Sequence, residues 1–234
     1  MRAASFRLLL GAAVLLAGCA GTPKNPDDPW EGFNRATFAF NEGLDRYVMK
    51  PVALGYDAVT PTPVRAGIGN FFANLDDLWI GANNLLQGKP GQAASDIGRF
   101  LVNTTVGVFG LIDVATPMGL DKHNEDFGQT LAVWGVGDGP YVVLPVFGPR
   151  NLRDSAGLGV DMRFDLLEEA DPVRVRNVLF ATRVVDKRAS FLPAERVLDQ
   201  AALDKYNYLR SAYQQRRRSL VYDGRPPRED IPED

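Results

Sequence analysis

Cysteine occurs once in the 234 residues, at Cys19, and histidine once, at His123. One thiol permits no internal disulfide, and any histidine-based triad would rest wholly on His123. The chain has no Gly-x-Ser-x-Gly elbow, no His-Glu-x-x-His pair, no Walker loop and no cluster with metal-ligand spacing. Positive charge is not in surplus either: 26 Lys and Arg stand against 29 Asp and Glu, a formal charge of -3. That balance argues against a nucleic-acid partner. No internal repeat marks a solenoid. Apolar runs are short, and the stretch nearest to membrane-span length, residues 100–118, is interrupted by glycines.

The first eighteen residues have the layout of an export signal. Arg2 and Arg7 precede the apolar "LLLGAAVLLA", which leads into "LAGC". That last stretch resembles a bacterial lipobox, in which Cys19 becomes the acylated first residue of the mature chain. Several acyl chains would make such an anchor stable, at about 0.8 kcal/mol per buried methylene. Ala20 follows in place of an aspartate, which by likeness to Gram-negative lipoproteins suggests sorting to the outer membrane. The expected layout is a signal peptide over 1–18, a lipidated tether over 19–27, one helical domain over 28–222, and a disordered tail over 223–234.

Helical spacing dominates the rest. Asp28, Pro29 and Glu31 form a start signal, after which Phe33, Phe40, Leu44 and Tyr47 share one face, with Arg35, Glu42 and Arg46 opposite. Phe38 falls near the polar side and calls for a covering neighbour. After "TPTP", apolar residues from Ile68 to Leu86 keep helical spacing for about six turns, while Asn70, Asn74, Asp77 and Asn84 make the other face largely amide. A third helix is expected through Ile97, Phe100, Leu101 and Thr104, and the apolar run it enters reads as a buried helix followed by a bent segment. A short helix is expected from Phe127 to Trp134. Another starts at Asp171–Pro172 and runs to a bend or end at Pro193. A last helix is expected from about Asp199 to Leu220, with Ala202, Tyr206, Leu209 and Tyr213 aligned.

"GVGDGPYVVLPVFGPRN", residues 135–151, breaks the helical pattern. From Tyr141 to Phe147 both alternating sets of side chains are apolar, so the segment is buried on two sides or meets lipid. We expect a bent hairpin-like piece, with Gly135–Pro140 and Gly148–Pro149 as its turns. Tyr141, Val143, Leu144, Pro145 and Phe147 are its candidate lipid-boundary or gating residues.

Chemistry is thinly represented. His123 reads as a loop residue, and Asp76–Asp77 and Glu168–Glu169 are adjacent pairs that do not point the same way from a helix. Arg216 to Arg218 could meet lipid headgroups or an acidic partner, or simply the helix dipole. No catalytic residue, metal or cofactor is assigned.

Five stretches together resemble the MlaA (VacJ) family of outer-membrane lipoproteins: "DPWEGFNRATFAFNEGLDRYVMKPVA", "NFFANLDDLWIGANNLLQGKP", "RFLVNTTVGVFGLIDVA", "EDFGQTLAVWGVGDGPYVVLPVFGPRNLRDSAG" and "DKYNYLRSAYQQRRRSLVYDG". The resemblance implies a mainly α, compact, ring-like domain in the inner leaflet of the outer membrane, pierced by an amphipathic channel. It implies removal of mislocalised phospholipid from the outer leaflet, delivery to a periplasmic carrier protein, and association with a trimeric porin. Under it, Asn70, Asn74, Asp77 and Asn84 become candidates for the channel lining. A lipoprotein lipid hydrolase working through His123 or an acidic pair, and a porin-binding scaffold that transports nothing, are the alternatives.

Overall fold

The computed structural model describes residue 25, residues 28–201 and residues 204–228. The expected signal peptide, Cys19, nearly all of the tether, Ala202 and the end of the tail lie outside them.

The first helix, α1 (Glu31–Leu44), runs without a break through a wide π-turn (Asp45–Met49) into α2 (Lys50–Val59). Asp28 does not cap α1. Its carboxylate is buried and accepts from Asn34 Nδ2 at 2.8 Å, and it takes a further hydrogen bond from the Tyr206 hydroxyl. Pro61 precedes α3 (Thr62–Leu86), and Gly88, with φ +77°, makes the sharp reversal into α4 (Pro90–Thr105). Asp126 caps α5 (Phe127–Val133) by accepting from Gln129 N at 2.8 Å. Next comes an antiparallel hairpin, β1 (Tyr141–Leu144) with β2 (Gly148–Asn151), in the register Tyr141 to Asn151 and Leu144 to Gly148. Asn151 then caps α6 (Leu152–Arg163), accepting from Asp154 N at 2.7 Å. A short 3-10 turn (Leu166–Glu169) precedes α7 (Val173–Ser190), α8 (Leu192–Ala201) and α9 (Lys205–Val221).

The result is mainly α with one small sheet, and its contacts close a circuit. α3 packs on α7, α7 on α2, and α1 on β1; β2 meets α9, α9 meets α5, and α5 returns to α3. The described start of the tail is tied down: Asp223 pairs with Lys89 at 2.6 Å, and Pro227 O accepts from Arg218 at 2.6 Å.

Parts of this fold turn apolar side chains outward and polar ones inward. Phe33 and Phe40 on α1 and Tyr47 in the π-turn are exposed, Tyr47 at 77%, while Asn34 and Thr37 of α1 are buried. α3 and α4 join through polar faces: Asn84 Nδ2 donates to Asp96 Oδ2 at 2.7 Å, Asn74 Nδ2 to Thr104 Oγ1 at 2.8 Å, and Arg99 lies 3.4 Å from Asp77. The run after α4 is not buried. Val106, Val108, Phe109, Leu111 and Ile112 all face outward. Their backbone folds inward instead, with Phe109 N bonded to Thr104 O, Gly110 N to Asn103 O and Ile112 N to Gly107 O. Among the described residues no helix is long and apolar enough to cross a membrane.

Phe38 has its expected neighbour. Its ring meets Tyr206 edge-on at 5.6 Å, beside the small buried cluster of Tyr141, Val143 and Tyr206.

Candidate functional site

The hairpin divides into two parts. Tyr141, Val142 and Val143 are buried by the protein itself, whereas Pro145, Val146 and Phe147 form an exposed apolar tip and Leu144 lies between. The turn therefore consists of Pro145 to Phe147. Gly148–Pro149, expected as a turn, is the start of β2: Pro149 pairs with Val143 in a two-stranded ladder, where a missing N–H is tolerated. Asn34 holds the root, donating to Tyr141 O at 3.0 Å and accepting from Val143 N at 2.8 Å. Asn41 holds the far end, donating to Leu144 O at 2.9 Å and accepting from Val146 N at 2.8 Å.

Beside the hairpin lies a cavity of about 920 Å³. α1 gives it Phe38, Asn41 and Glu42; the hairpin gives Val143, Gly148 and Pro149; α8 and α9 close it with Leu198, Tyr208 and Leu209. Much of that lining is apolar. The charged residues among it are mostly joined to one another. Arg188 binds Asp45 through Nε at 2.5 Å and Nη2 at 2.8 Å, and reaches Glu195 Oε2 at 2.6 Å, while Lys50 Nζ binds Glu195 Oε1 at 2.8 Å. The hydrogen bonds to Asp45 raise the Arg188 pKa. Burial would push the Glu195 carboxyl up, but the hydrogen bonds from Lys50 and Arg188 outweigh it and hold the group below its ordinary range. An amphipathic cavity of this kind suits a molecule with an oily body and a charged end.

Asn74, Asp77 and Asn84 do not line this cavity. They are sealed in the seam between α3 and α4, where burial raises the pKa of Asp77 despite its contacts with Lys122 and Arg99. Asn70 stands apart from them, its Nδ2 donating to Leu111 O at 3.2 Å. The amide stripe that the sequence displays is a helix–helix joint, in which Asn84 donates to Asp96 and Asn74 to Thr104 across the seam. His123 is likewise tied into that seam, Nδ1 lying 3.0 Å from the fully buried Asp96, and no hydroxyl of the described residues hydrogen-bonds it. The described residues hold no group of three or more His, Cys, Asp or Glu arranged to take a metal.

Of the three consecutive arginines, Arg216 is exposed, Arg218 is bonded to Pro227 O, and Arg217 is buried. Arg217 joins Asp126 and Asp154, and Tyr213 donates to Asp154 at 2.5 Å. The residues holding this cluster and the hairpin come from the quoted stretches, in "DPWEGFNRATFAFNEG", "EDFGQTL", "NLRDSAG" and "DKYNYLRSAYQQRRR".

The MlaA lipoprotein family profile matches residues 26–220. The chain belongs to the MlaA lipoprotein family. The intermembrane phospholipid transport system lipoprotein MlaA of Escherichia coli (strain K12) is 37% identical over 225 residues, covering 93% of this chain and 88% of that protein. The protein of the same name from Haemophilus influenzae is 32% identical, covering 100% of this chain and 98% of the relative. A solved structure described as the structural basis for maintenance of bacterial outer membrane lipid asymmetry matches with a TM-score of 0.72 and 36% identity, over 83% of this chain and 98% of that one. The match to the MlaA family spans α1 to α9 apart from the very end of α9, hairpin and cavity included.

Proposed function

We propose that the protein is an outer-membrane lipoprotein that withdraws mislocalised phospholipid from the outer leaflet and passes it to a periplasmic carrier, so maintaining lipid asymmetry. The observation that carries this reading is the locally inverted polarity: apolar side chains are exposed on α1, the π-turn and the run after α4 while polar side chains are buried in α1 and in the α3–α4 seam, and an amphipathic cavity opens beside an apolar hairpin tip. A surface of that kind is stable against hydrocarbon and costly in water. The MlaA relatives are named for intermembrane phospholipid transport, which agrees with it.

On this reading Cys19 carries the lipid anchor, the exterior sits in the periplasmic-side leaflet, and the cavity is part of the lipid route. A trimeric porin and a periplasmic lipid-carrier protein are the proposed partners. The reading needs no covalent step, and no residue is assigned to catalysis.

Surface-exposed phospholipid in a deletion strain, complemented with wild type, Cys19→Ala or His123→Ala, tests it. We expect phospholipid to accumulate outside in the deletion strain and under Cys19→Ala, and asymmetry to be restored by wild type and His123→Ala. Normal asymmetry in the deletion strain would overturn the reading. Failure of a correctly folded His123→Ala protein would favour the hydrolase, and a variant that binds porin normally yet lets phospholipid accumulate would exclude the pure scaffold.

A further inference from the structure

Three acidic and four basic side chains line the cavity, and six of these seven charges sit in pairs or networks. Asp45, Arg188, Glu195 and Lys50 are mutually bound and sum to zero. Glu42 and Lys205 face each other at 3.6 Å, a separation too long for a hydrogen bond. Arg46 lines the cavity and has no ion-pair partner among the described residues. Glu42 and Arg46 are four residues apart at the junction of α1 with the π-turn. That spacing normally brings a carboxylate and a guanidinium together on a helix face, yet no ion pair joins them. One exposed cation without an ion-pair partner and one loosely held carboxylate, four residues apart, thus both line a cavity that Phe38, Val143 and Leu209 also line.

We infer that Arg46 and Glu42 form the headgroup subsite of the cavity and select a phospholipid whose phosphate carries a primary ammonium group, as phosphatidylethanolamine does. This rests on the reading of the cavity as the lipid route. The guanidinium donates charge-assisted hydrogen bonds to the phosphodiester oxygens, and the ammonium, a few atoms along the headgroup, donates to the Glu42 carboxylate in place of Lys205. The acyl chains lie along Phe38, Val143 and Leu209. A lipid with a glycerol headgroup satisfies Arg46 equally well but offers Glu42 hydroxyl donors that carry no charge, and so lacks the Coulombic attraction between an ammonium and the carboxylate. Arg46 therefore sets how tightly a phospholipid is held, and Glu42 sets which one.

Purified full-length protein is equilibrated with detergent micelles containing equal amounts of phosphatidylethanolamine and phosphatidylglycerol, and the retained lipid is measured by mass spectrometry after gel filtration. Wild type should retain phosphatidylethanolamine over phosphatidylglycerol by about tenfold. Arg46→Ala should lower both by a similar factor, and Arg46→Lys should recover most of the loss. Glu42→Gln should bring the two lipids close to parity without reducing phosphatidylglycerol. Helical content measured by circular dichroism checks that each variant is folded. Equal retention of the two lipids by wild type, or a preference untouched by Glu42→Gln, overturns the headgroup assignment while leaving the lipid route standing. A wild-type protein that retains neither lipid overturns both.

Discussion

Arg217, near the end of the last helix, grips Asp126 at the head of α5 with both terminal nitrogens, at 2.6 and 2.7 Å. The same guanidinium reaches Asp154 at 2.6 and 2.9 Å. One buried cation thus ties α9 to α5 and α6. Replacing it leaves Asp126 without the guanidinium that grips it and Asp154 with Arg153 as its remaining cation, and breaking a buried pair in this way costs up to about 3–5 kcal/mol. Arg217→Ala should therefore lower the thermal midpoint, followed by circular dichroism, far more than Arg216→Ala on the exposed side of the same helix. Equal effects would mean that the cluster is hydrated and contributes little.

Gly157 permits α6 to approach α5 closely. A Cβ there would lie 2.5 Å from Gly128 N and 2.8 Å from Gly128 Cα, backbone atoms that cannot rotate away. Gly157→Ala should destabilise the protein by about 1–3 kcal/mol or more, whereas Gly159→Ala, with open space at its Cβ, should be tolerated. Matched chemical-denaturation curves for the two variants decide the point, and a tolerated Gly157→Ala would show that the two helices slide apart at little cost.

Acid should loosen the same cluster. Burial alone would raise the Asp126 carboxyl, but the hydrogen bonds from Arg217 outweigh it and hold the group below its ordinary 3.8. A depressed carboxyl stabilises the fold fully above its unfolded value, and that contribution is lost as pH falls through the lower folded one. Asp77 runs the other way, since burial raises it and protonation relieves it. Unfolding midpoints between pH 7 and pH 3 should therefore fall more steeply in wild type below about pH 4 than in Arg217→Ala. Parallel curves would remove Asp126 from the acid response.

Asn41 is the clasp on the exposed end of the hairpin. Its amide serves both Leu144 O and Val146 N, and Val146 has φ +70°, a conformation that β-branched residues rarely adopt. Asn41→Ala removes two hydrogen bonds, each contributing about 1 kcal/mol. It should speed amide exchange at Val146 by about tenfold or more, leaving exchange at Val143, which Asn34 holds, unchanged. Val146→Gly should relieve the backbone and slow that exchange. Uniform acceleration along the hairpin in Asn41→Ala would mean that tip and root open as one unit.

The helices were legible because a 3.6-residue period shows whichever face points inward. α3, α4 and α7 begin and end close to where their spacing and prolines place them. The direction of the faces was not legible. Reading Phe33, Phe40 and Tyr47 as the packed side of α1 assumes water outside, and here the packed side carries Asn34, Thr37 and Asn41. The same assumption makes Asn74, Asp77 and Asn84 look like a free polar wall. α6 carries only a weak amphipathic stripe and two small glycines, so nothing in the local spacing announces it. Pro193 reads as a bend or an end, and α7 does end just before it, at Ser190; Pro193 is then the second residue of α8, where a missing N–H costs nothing. The cavity network lay beyond any spacing rule, for Asp45 and Arg188 are 143 residues apart. What did point to the interior was the quoted motifs, whose Asn34, Asp126, Arg153 and Asp154 are the polar core.

The outward-turned faces of α1 and of the run after α4 have a consequence for the order of events in assembly. An ordinary domain gains most of its hydrophobic stabilisation when the chain collapses on itself. This one, once collapsed, still presents Phe40, Tyr47, Val106 and Phe109 to its surroundings. On the proposed membrane reading, part of that gain is deferred until an oily medium covers those side chains. Insertion would then be the last step of folding, and a chain crossing an aqueous compartment on its way there would need an escort.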